Sequence, residues 1–349
     1  MVEQPGIVAV SRYGSSGASS RVRLRDWFEH FAINAEIHDY IGTANNNPRA
    51  MLFGAPRVIR AEAELRKLTK RLEDKSLVLS RSASPFSAGV LEATLLKNAR
   101  HSVYDFDDAI YASGNHFFRN IRSVENVWTK SVRSADVVVA GSEVLAEAAS
   151  VLRDDVVIIP SCVEPSKYMR KPTYDLGEIP RAVWIGSPGN EAYLLPVAKG
   201  LLALNTRFGL RLTVISAGNA SLGELDKIVD RYTWGPDTFY EQIASADIGI
   251  MPLPNNPFTR GKCSYKLLQY GASGVPVIGS AVGANVAALQ RLGGLEANTS
   301  LEWETAIANV LEMNPRERSG MGKSARDGVE KHYSFDAWAR KWLEVMRLS

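Results

Sequence analysis

The chain is predicted to be an α/β protein made of two successive parallel-sheet units. Its 349 residues are enough for about two domains. Short β-branched runs alternate with amphipathic helical stretches through most of its length. That alternation is the pattern of a parallel sheet covered on both faces. It breaks once, at Lys171-Pro-Thr-Tyr-Asp-Leu-Gly-Glu-Ile-Pro180, where two prolines and no hydrophobic period predict a linker. The alternation then restarts.

In the first unit, Ile7–Val10 is the opening strand. A Gly/Ser loop and a helix over about 20–31 follow it. Strands are expected at 36–40, 76–80, 102–106, 137–140 and 156–160, because each run is short, apolar and bounded by polar residues. Helices are expected at 56–74, at 89–98 and from Ser142. In the second unit, strands are expected at 182–186, 212–216, 247–251 and 276–279, with a helix over 193–208. In the tail, Ser334 is the expected N-cap of a helix whose Phe335, Trp338, Trp342 and Met346 share one face. The expected domains are 1–172 and 173–333, with helix 334–349 returning to the first. Ligands of open α/β sheets bind beyond the carboxyl ends of the strands, so the loops of both units should aim at a shared cleft.

Composition narrows the function. With 45% hydrophobic and 23% charged residues, the chain is an ordinary globular protein. A net charge of +3 is too small to make nucleic acid the main partner. Two cysteines, Cys162 and Cys263, give neither a disulfide framework nor a metal cluster, which fits a reducing cytoplasm. The first residues lack the pattern of a secretory signal, and no run approaches the ~18 to 20 apolar residues that span a bilayer.

The segment Arg260-Gly-Lys-Cys-Ser-Tyr-Lys266 is the most informative one. It opens a short helix after an apolar strand and carries three cations, Arg260, Lys262 and Lys266. Unpaired N–H groups and the positive end of the helix dipole suit an anion there, and the cations would suit a diphosphate. A solvated basic loop is the alternative. Ile185-Gly-Ser-Pro-Gly-Asn-Glu191 is a second strand-to-helix loop, in which Ser187 and Gly189 permit close approach to a ligand. It has no Lys or Arg, so a phosphate there would draw its cation from 260–266.

In the first unit, Gly14, Ser15 and Ser16 form a loop between strand and helix. It has neither G-x-G-x-x-G spacing nor a G-K-[ST] ending, which disfavours dinucleotide or NTP binding in those modes. Arg21 lies near enough to that loop to meet an anionic group. Asp105, Asp107 and Asp108 crowd the end of a strand, and such carboxylates need a cation, a donor or a ligand hydroxyl nearby. No second acidic loop completes a metal site. Asn115 and His116 follow as polar candidates for acceptor contact. The stretch 57–75 carries seven basic residues interspersed with Glu62, Glu64, Glu73 and Asp74. It reads as a solvated helix surface or as a contact with anionic lipid. There is no G-x-S-x-G, H-E-x-x-H or C-x-x-C, so nucleophilic hydrolysis and zinc chemistry lack support.

Taken in order, several segments resemble the retaining GT-B glycosyltransferases of glycosyltransferase family 4. These are Ser134-Ala-Asp-Val-Val-Val-Ala-Gly-Ser142, Ile158-Ile-Pro-Ser-Cys-Val-Glu164, Trp184-Ile-Gly-Ser-Pro188, Ala246–Leu253 and Lys266-Leu-Leu-Gln-Tyr-Gly-Ala-Ser-Gly-Val-Pro-Val-Ile278. Tyr104-Asp-Phe-Asp-Asp-Ala-Ile-Tyr111 resembles a segment of one branch of the family. The resemblance implies a GT-B fold, two Rossmann-like domains facing each other across a cleft. It implies a nucleotide-sugar co-substrate, UDP- or GDP-linked, with no cofactor and no metal. The acceptor would be a sugar, a lipid-linked sugar or a small molecule.

The implied roles put Arg260 and Lys266 on the leaving diphosphate, with Asp107 and Asp108 as further catalytic candidates. Gly14, Ser15, Ser16, Ser187, Gly189, Lys262, Cys263, Ser264, Tyr265 and Gln269 would bind the donor. Asp105, Asn115, His116 and Arg21 would bind the acceptor. The family commonly has two glutamates seven residues apart, and here Gly261 and Gln269 stand in their places. A nucleotide-sugar epimerase of the same architecture, and a non-catalytic sugar- or partner-binding homologue, are the alternative functions. The expected location is the cytoplasm, with peripheral contact on the inner face of the membrane through 57–75.

Overall fold

A computed structural model of the chain describes residues 6–15, 17–40, 55–112, 124–235 and 238–348. The chain divides into two compact units, Met1–Ser161 with Trp338–Ser349, and Cys162–Ala337. Each is built on one six-stranded sheet in which every pairing is parallel.

In the first unit the strands are β1 (Ile7–Ser11), β2 (Glu36–Asp39), β3 (Ser76–Ser80), β4 (His101–Phe106), β5 (Val137–Ala140) and β6 (Val156–Ile158), in the order β2-β1-β3-β4-β5-β6. β1, β3 and β4 are buried along their whole length; β1 and β3 read as short apolar runs rather than alternating ones, while β4, His-Ser-Val-Tyr-Asp-Phe, buries polar side chains as well. The basic helix is shorter than expected. It spans Ala55–Leu68 and closes with i→i−3 bonds from Lys70 N to Lys67 O and from Arg71 N to Leu68 O. The helix after β1 runs from Ala18 to His30 and contains a π turn, Arg21–Arg25. The tail helix, Phe335–Met346, has the expected cap, with Ala337 N donating to Ser334 Oγ at 3.1 Å. Its Trp342 stacks on Trp27 and Phe31 at 5.2 and 5.3 Å between ring centroids.

In the second unit the strands are β7 (Arg181–Ile185), β8 (Arg211–Ser216), β9 (Val229–Thr233), β10 (Ile248–Met251), β11 (Val277–Gly279) and β12 (Leu295–Glu296), in the order β12-β11-β10-β7-β8-β9. Alternate residues of β7 feed two cores. Val183 and Ile185 join Tyr270 and Leu267, while Ala182 and Trp184 join Leu201 and Trp303. β9 escaped prediction because Val-Asp-Arg-Tyr-Thr is polar and lies at the sheet edge, and β12 because it has two residues. The helix expected at 193–208 splits into a 3-10 turn, Pro188–Val197, and an α-helix, Ala198–Phe208. Pro196 sits inside the 3-10 turn, where its missing N–H breaks the α-helical ladder.

The stretch expected to be a linker is packed into the second unit. Lys171 Nζ meets buried Asp247 at 3.2 Å, Tyr174 donates to the Gly274 carbonyl at 2.8 Å, and Arg318 Nε donates to the Tyr174 carbonyl at 2.9 Å.

Gly249 on β10 is where the sheet meets helix Tyr265–Ala272. A Cβ there would lie 2.3 Å from Tyr270 Cγ. Gly249→Ala is therefore expected to cost about 1–3 kcal/mol through overpacking. Gly177→Ala, with nothing within 4 Å of its Cβ, should leave stability nearly unchanged. Urea unfolding midpoints measure both, and equal midpoints for the two variants would contradict the packing argument.

Candidate functional site

The strand order locates the site. In the second unit it reverses direction between β7 and β10, and ligands of open α/β sheets bind at such a switch point, beyond the carboxyl ends. The loop after β7 is Gly186 and Ser187, which lead into the 3-10 turn from Pro188, and the segment after β10 leads through Arg260–Ser264 into helix Tyr265–Ala272. These two segments touch. A Cβ on Gly186 would lie 2.6 Å from the Trp184 ring and 2.9 Å from Lys266 Cε, so the Lys266 side chain crosses the loop where only glycine fits. The Lys266 ammonium sits 5.4 Å from the centroid of the Trp184 ring. A loop with no cation of its own is thus supplied with one.

The start of helix Tyr265–Ala272 has the chemistry of an anion site. No acidic residue lies in its first turn, and its N-cap Ser264 makes no side-chain cap bond. Ser264 holds the left-handed conformation, φ 56°, that L-residues adopt at a cost. Its hydroxyl is buried and has no hydrogen-bond partner among the described residues. A buried hydroxyl without a partner costs free energy that a bound acceptor oxygen would recover. Gly283, φ 55°, brings a third segment against this one, since a Cβ there would lie 2.0 Å from the Arg260 carbonyl oxygen.

The other donor candidates are distributed as follows. Arg260 is exposed, with Nε donating to Asn255 Oδ1 at 2.7 Å. Lys262 Nζ lies 4.5 Å from the Phe258 ring centroid. Cys263 and Tyr265 are half-buried, and Ser187 and Gly189 are exposed. Gln269 is buried near the Tyr168 hydroxyl. One further charged pair escaped the sequence. Buried Glu191 meets Arg231 at 2.9 Å, and its other oxygen occupies the space a Cβ on Gly218 would need, 2.2 Å away.

In the first unit the order reverses between β1 and β3. After β1, the Gly14 carbonyl accepts from Gly17 N at 2.9 Å in a tight turn. Ser15 is exposed, and Ser16 lies outside the described residues. After β3 comes Arg81, φ 62°. Its guanidinium donates to Ser19 Oγ at 2.8 Å and pairs with Asp108 at 3.0 Å and Asp107 at 3.9 Å. Burial pulls the Arg81 pKa down, but Asp108 and Asp107 push it further up, so it stays charged. Sequence reasoning passed over Arg81, although its place directly after an apolar strand was the signal.

Asp105 has a different setting from its neighbours. Both its oxygens are bound by Arg23, at 2.9 and 2.6 Å, and the pair is buried, so this carboxylate ties β4 to the first helix. Burial raises the Asp105 pKa more than Arg23 lowers it. Arg23, rather than Arg21, turns inward from the π turn; Arg21 is half-buried. Asn115 and His116 lie outside the described residues. Among the described residues, no group of three His, Cys, Asp or Glu side chains is placed to hold a metal, and no helix is long and apolar enough to cross a membrane.

No protein-family model matches the chain, and no curated protein matches it in sequence. Solved structures do match in fold. Sucrose-phosphate synthase from Thermosynechococcus elongatus aligns over 99% of this chain and 98% of its own, at 15% identity and a TM-score of 0.70. HepE from Anabaena, solved with UDP and glucose, aligns over 99% and 100%, at 14% identity and a TM-score of 0.72. A glycosyltransferase from Rickettsia africae aligns over 99% and 98%, at 15% identity and a TM-score of 0.68. The fold is GT-B. Its two Rossmann-like sheets are those described above.

Ser264 joins a strained backbone to a hydroxyl without a partner, an arrangement that costs stability. Ser264→Gly is expected to stabilise the unliganded protein by about 1 kcal/mol, since glycine adopts positive φ freely. Thermal unfolding tests this, and a variant less stable than the parent chain would contradict it.

Proposed function

We propose that the chain is a retaining glycosyltransferase that needs no metal, of the family 4 type. It would move a sugar from a UDP- or GDP-sugar to a hydroxyl acceptor. One observation carries the proposal: Lys266 crosses the Gly186 loop at the β7/β10 switch point, two residues after Ser264, whose buried hydroxyl has no hydrogen-bond partner among the described residues. Breaking the bond between the sugar anomeric carbon and the phosphate oxygen leaves negative charge on the departing diphosphate. Lys266, the helix N-terminus, Arg260 and Lys262 would stabilise that charge as it develops. Ser187 and Gly189 would give donors close access to a phosphate. Gln269 would offer its amide to a ribose hydroxyl. The new glycosidic bond would form on the face the phosphate leaves, with the acceptor proton passing to a phosphate oxygen. In the first unit, Asp107 and Asp108, paired with Arg81, would accept hydrogen bonds from sugar or acceptor hydroxyls. HepE, solved with UDP-glucose, supports the donor class. A cytoplasmic location, with lipid contact through 57–75, belongs to the same proposal.

A thermal-shift screen against UDP-, GDP-, dTDP- and ADP-sugars tests it. A UDP- or GDP-sugar should stabilise the protein by about 2.7 kcal/mol at a hundred times its Kd. Lys266→Ala should abolish most of that gain, and Arg260→Ala should reduce it. If both variants bound and turned over donor like the parent chain, the diphosphate assignment would fail. Donor consumed without any acceptor would favour an epimerase instead.

A further inference from the structure

The 3-10 stretch Pro188–Val197, which opens directly after Ser187, carries a carboxylate in its first turn, Glu191. A solvated carboxylate so near the Gly186 loop would repel the diphosphate assigned to it. Glu191 is neither solvated nor alone. It is 2% exposed, and its Oε2 accepts from Arg231 Nη1 at 2.9 Å. Arg231 stands on β9. Its guanidinium also donates to the Gly218 and Ala220 carbonyls, at 3.4 and 2.5 Å, in the stretch after β8. The pair cancels the carboxylate's charge. It also ties the turn after β7 to β9 and, through Arg231, to the segment that follows β8.

A glycine makes the seat for the other oxygen. Glu191 Oε1 is buried and has no hydrogen-bond partner among the described residues. A Cβ on Gly218 would lie 2.2 Å from that oxygen and 3.0 Å from Pro188 Cβ. Gly218 has no positive φ, so the turn and its carboxylate, rather than the backbone conformation, exclude a side chain there. Short hydrogen bonds carry this anchor back to the loop. Asn190 N donates to the Ser187 carbonyl at 2.9 Å, and Asn190 Nδ2 donates to Ser187 Oγ at 3.0 Å. Gly186 N donates to the Ile215 carbonyl of β8 at 3.0 Å. Glu191 therefore closes the far end of a turn whose near end is Gly186 and Ser187.

We propose that Glu191 is a positioning residue of the donor site. Paired with Arg231 and seated on Gly218, it fixes Gly186 and Ser187 where a diphosphate binds. A buried ion pair that leaves one oxygen unpaired is a poor source of stability, and what this one secures is the place of the turn. That place matters because Lys266 crosses at Gly186, so a shifted loop would part from the ammonium that serves it. The proposal rests on the donor reading given above and adds to it a residue that touches no ligand.

Calorimetry measures the affinity of the full chain for UDP and for GDP, at a temperature where thermal unfolding shows each variant folded. Glu191→Ala should weaken the tighter-bound nucleotide about tenfold or more, because the loop is no longer held in place. Glu191→Gln keeps an oxygen for Arg231 and nearly the same volume, and should stay within about threefold of the parent chain. Gly218→Ala drives a Cβ into the seat of Oε1 and should weaken binding as Glu191→Ala does. Combined with Glu191→Ala it should add little, since the carboxylate it displaces is gone. If Glu191→Ala fails to fold, Gly218→Ala decides, because it displaces the carboxylate without deleting it. Glu312→Ala, which removes an exposed pair with Arg207 in the same unit, should leave affinity unchanged. Glu191→Ala or Gly218→Ala chains that lose stability yet bind like the parent would overturn the proposal and leave the donor site standing. Effects of the two changes that simply multiply would overturn it as well. A parent chain that binds neither nucleotide would remove the donor reading, and this proposal with it.

Discussion

Tyr270 is fully buried, and its hydroxyl accepts from the Ile185 amide at 3.0 Å while donating to the Ile250 carbonyl at 3.2 Å. One side chain thereby fastens helix Tyr265–Ala272 to the ends of both β7 and β10. Gly249 makes room for its ring. Burial holds the hydroxyl neutral by raising its pKa, so the link persists across ordinary pH. Everything assigned to the diphosphate hangs from this contact. The Ile185 amide is the last strand position before Gly186, and Lys266 lies one helical turn before Tyr270. Loop and helix start are thus set against each other by a buried hydrogen bond rather than by a ligand.

Strained backbone gathers at the same places. Four non-glycine residues among those described have positive φ: Ala32, Arg81, Ser264 and Arg347. Two of them follow strands at the switch points, Arg81 after β3 and Ser264 on the way from β10. Both are held by their surroundings. Arg81 N donates to the Asp105 carbonyl at 2.9 Å, and the Tyr104 hydroxyl donates to the Arg81 carbonyl at 3.0 Å. Strain that packing maintains at a site is what preorganised binding requires.

Much of this was legible in the sequence, for definable reasons. Parallel sheets bury both faces, so β1 and β3 appear as short apolar runs, too short for helices. The Arg260–Lys266 segment announced itself by three cations at a helix start. Its need to serve the cation-free Gly186 loop followed from composition, and Lys266 lies across that loop. What stayed hidden were contacts between distant residues. Nothing local distinguishes Arg23 from Arg21, and only the π turn and the burial of Asp105 decide between them. Arg81 looked like any polar residue after a strand. The stretch 171–180 looked like a linker because prolines and polar residues mark a packed irregular segment and a free one alike. Its anchors, Asp247, Gly274 and Arg318, lie far along the chain.

The most direct test of the central claim is a crystal structure of the protein soaked with UDP. If the proposed donor site is right, the diphosphate will lie at the start of helix Tyr265–Ala272, with phosphate oxygens about 3 Å from Ser264 Oγ and Lys266 Nζ. A diphosphate seated elsewhere, leaving the Ser264 hydroxyl and the Gly186 loop untouched, would contradict it.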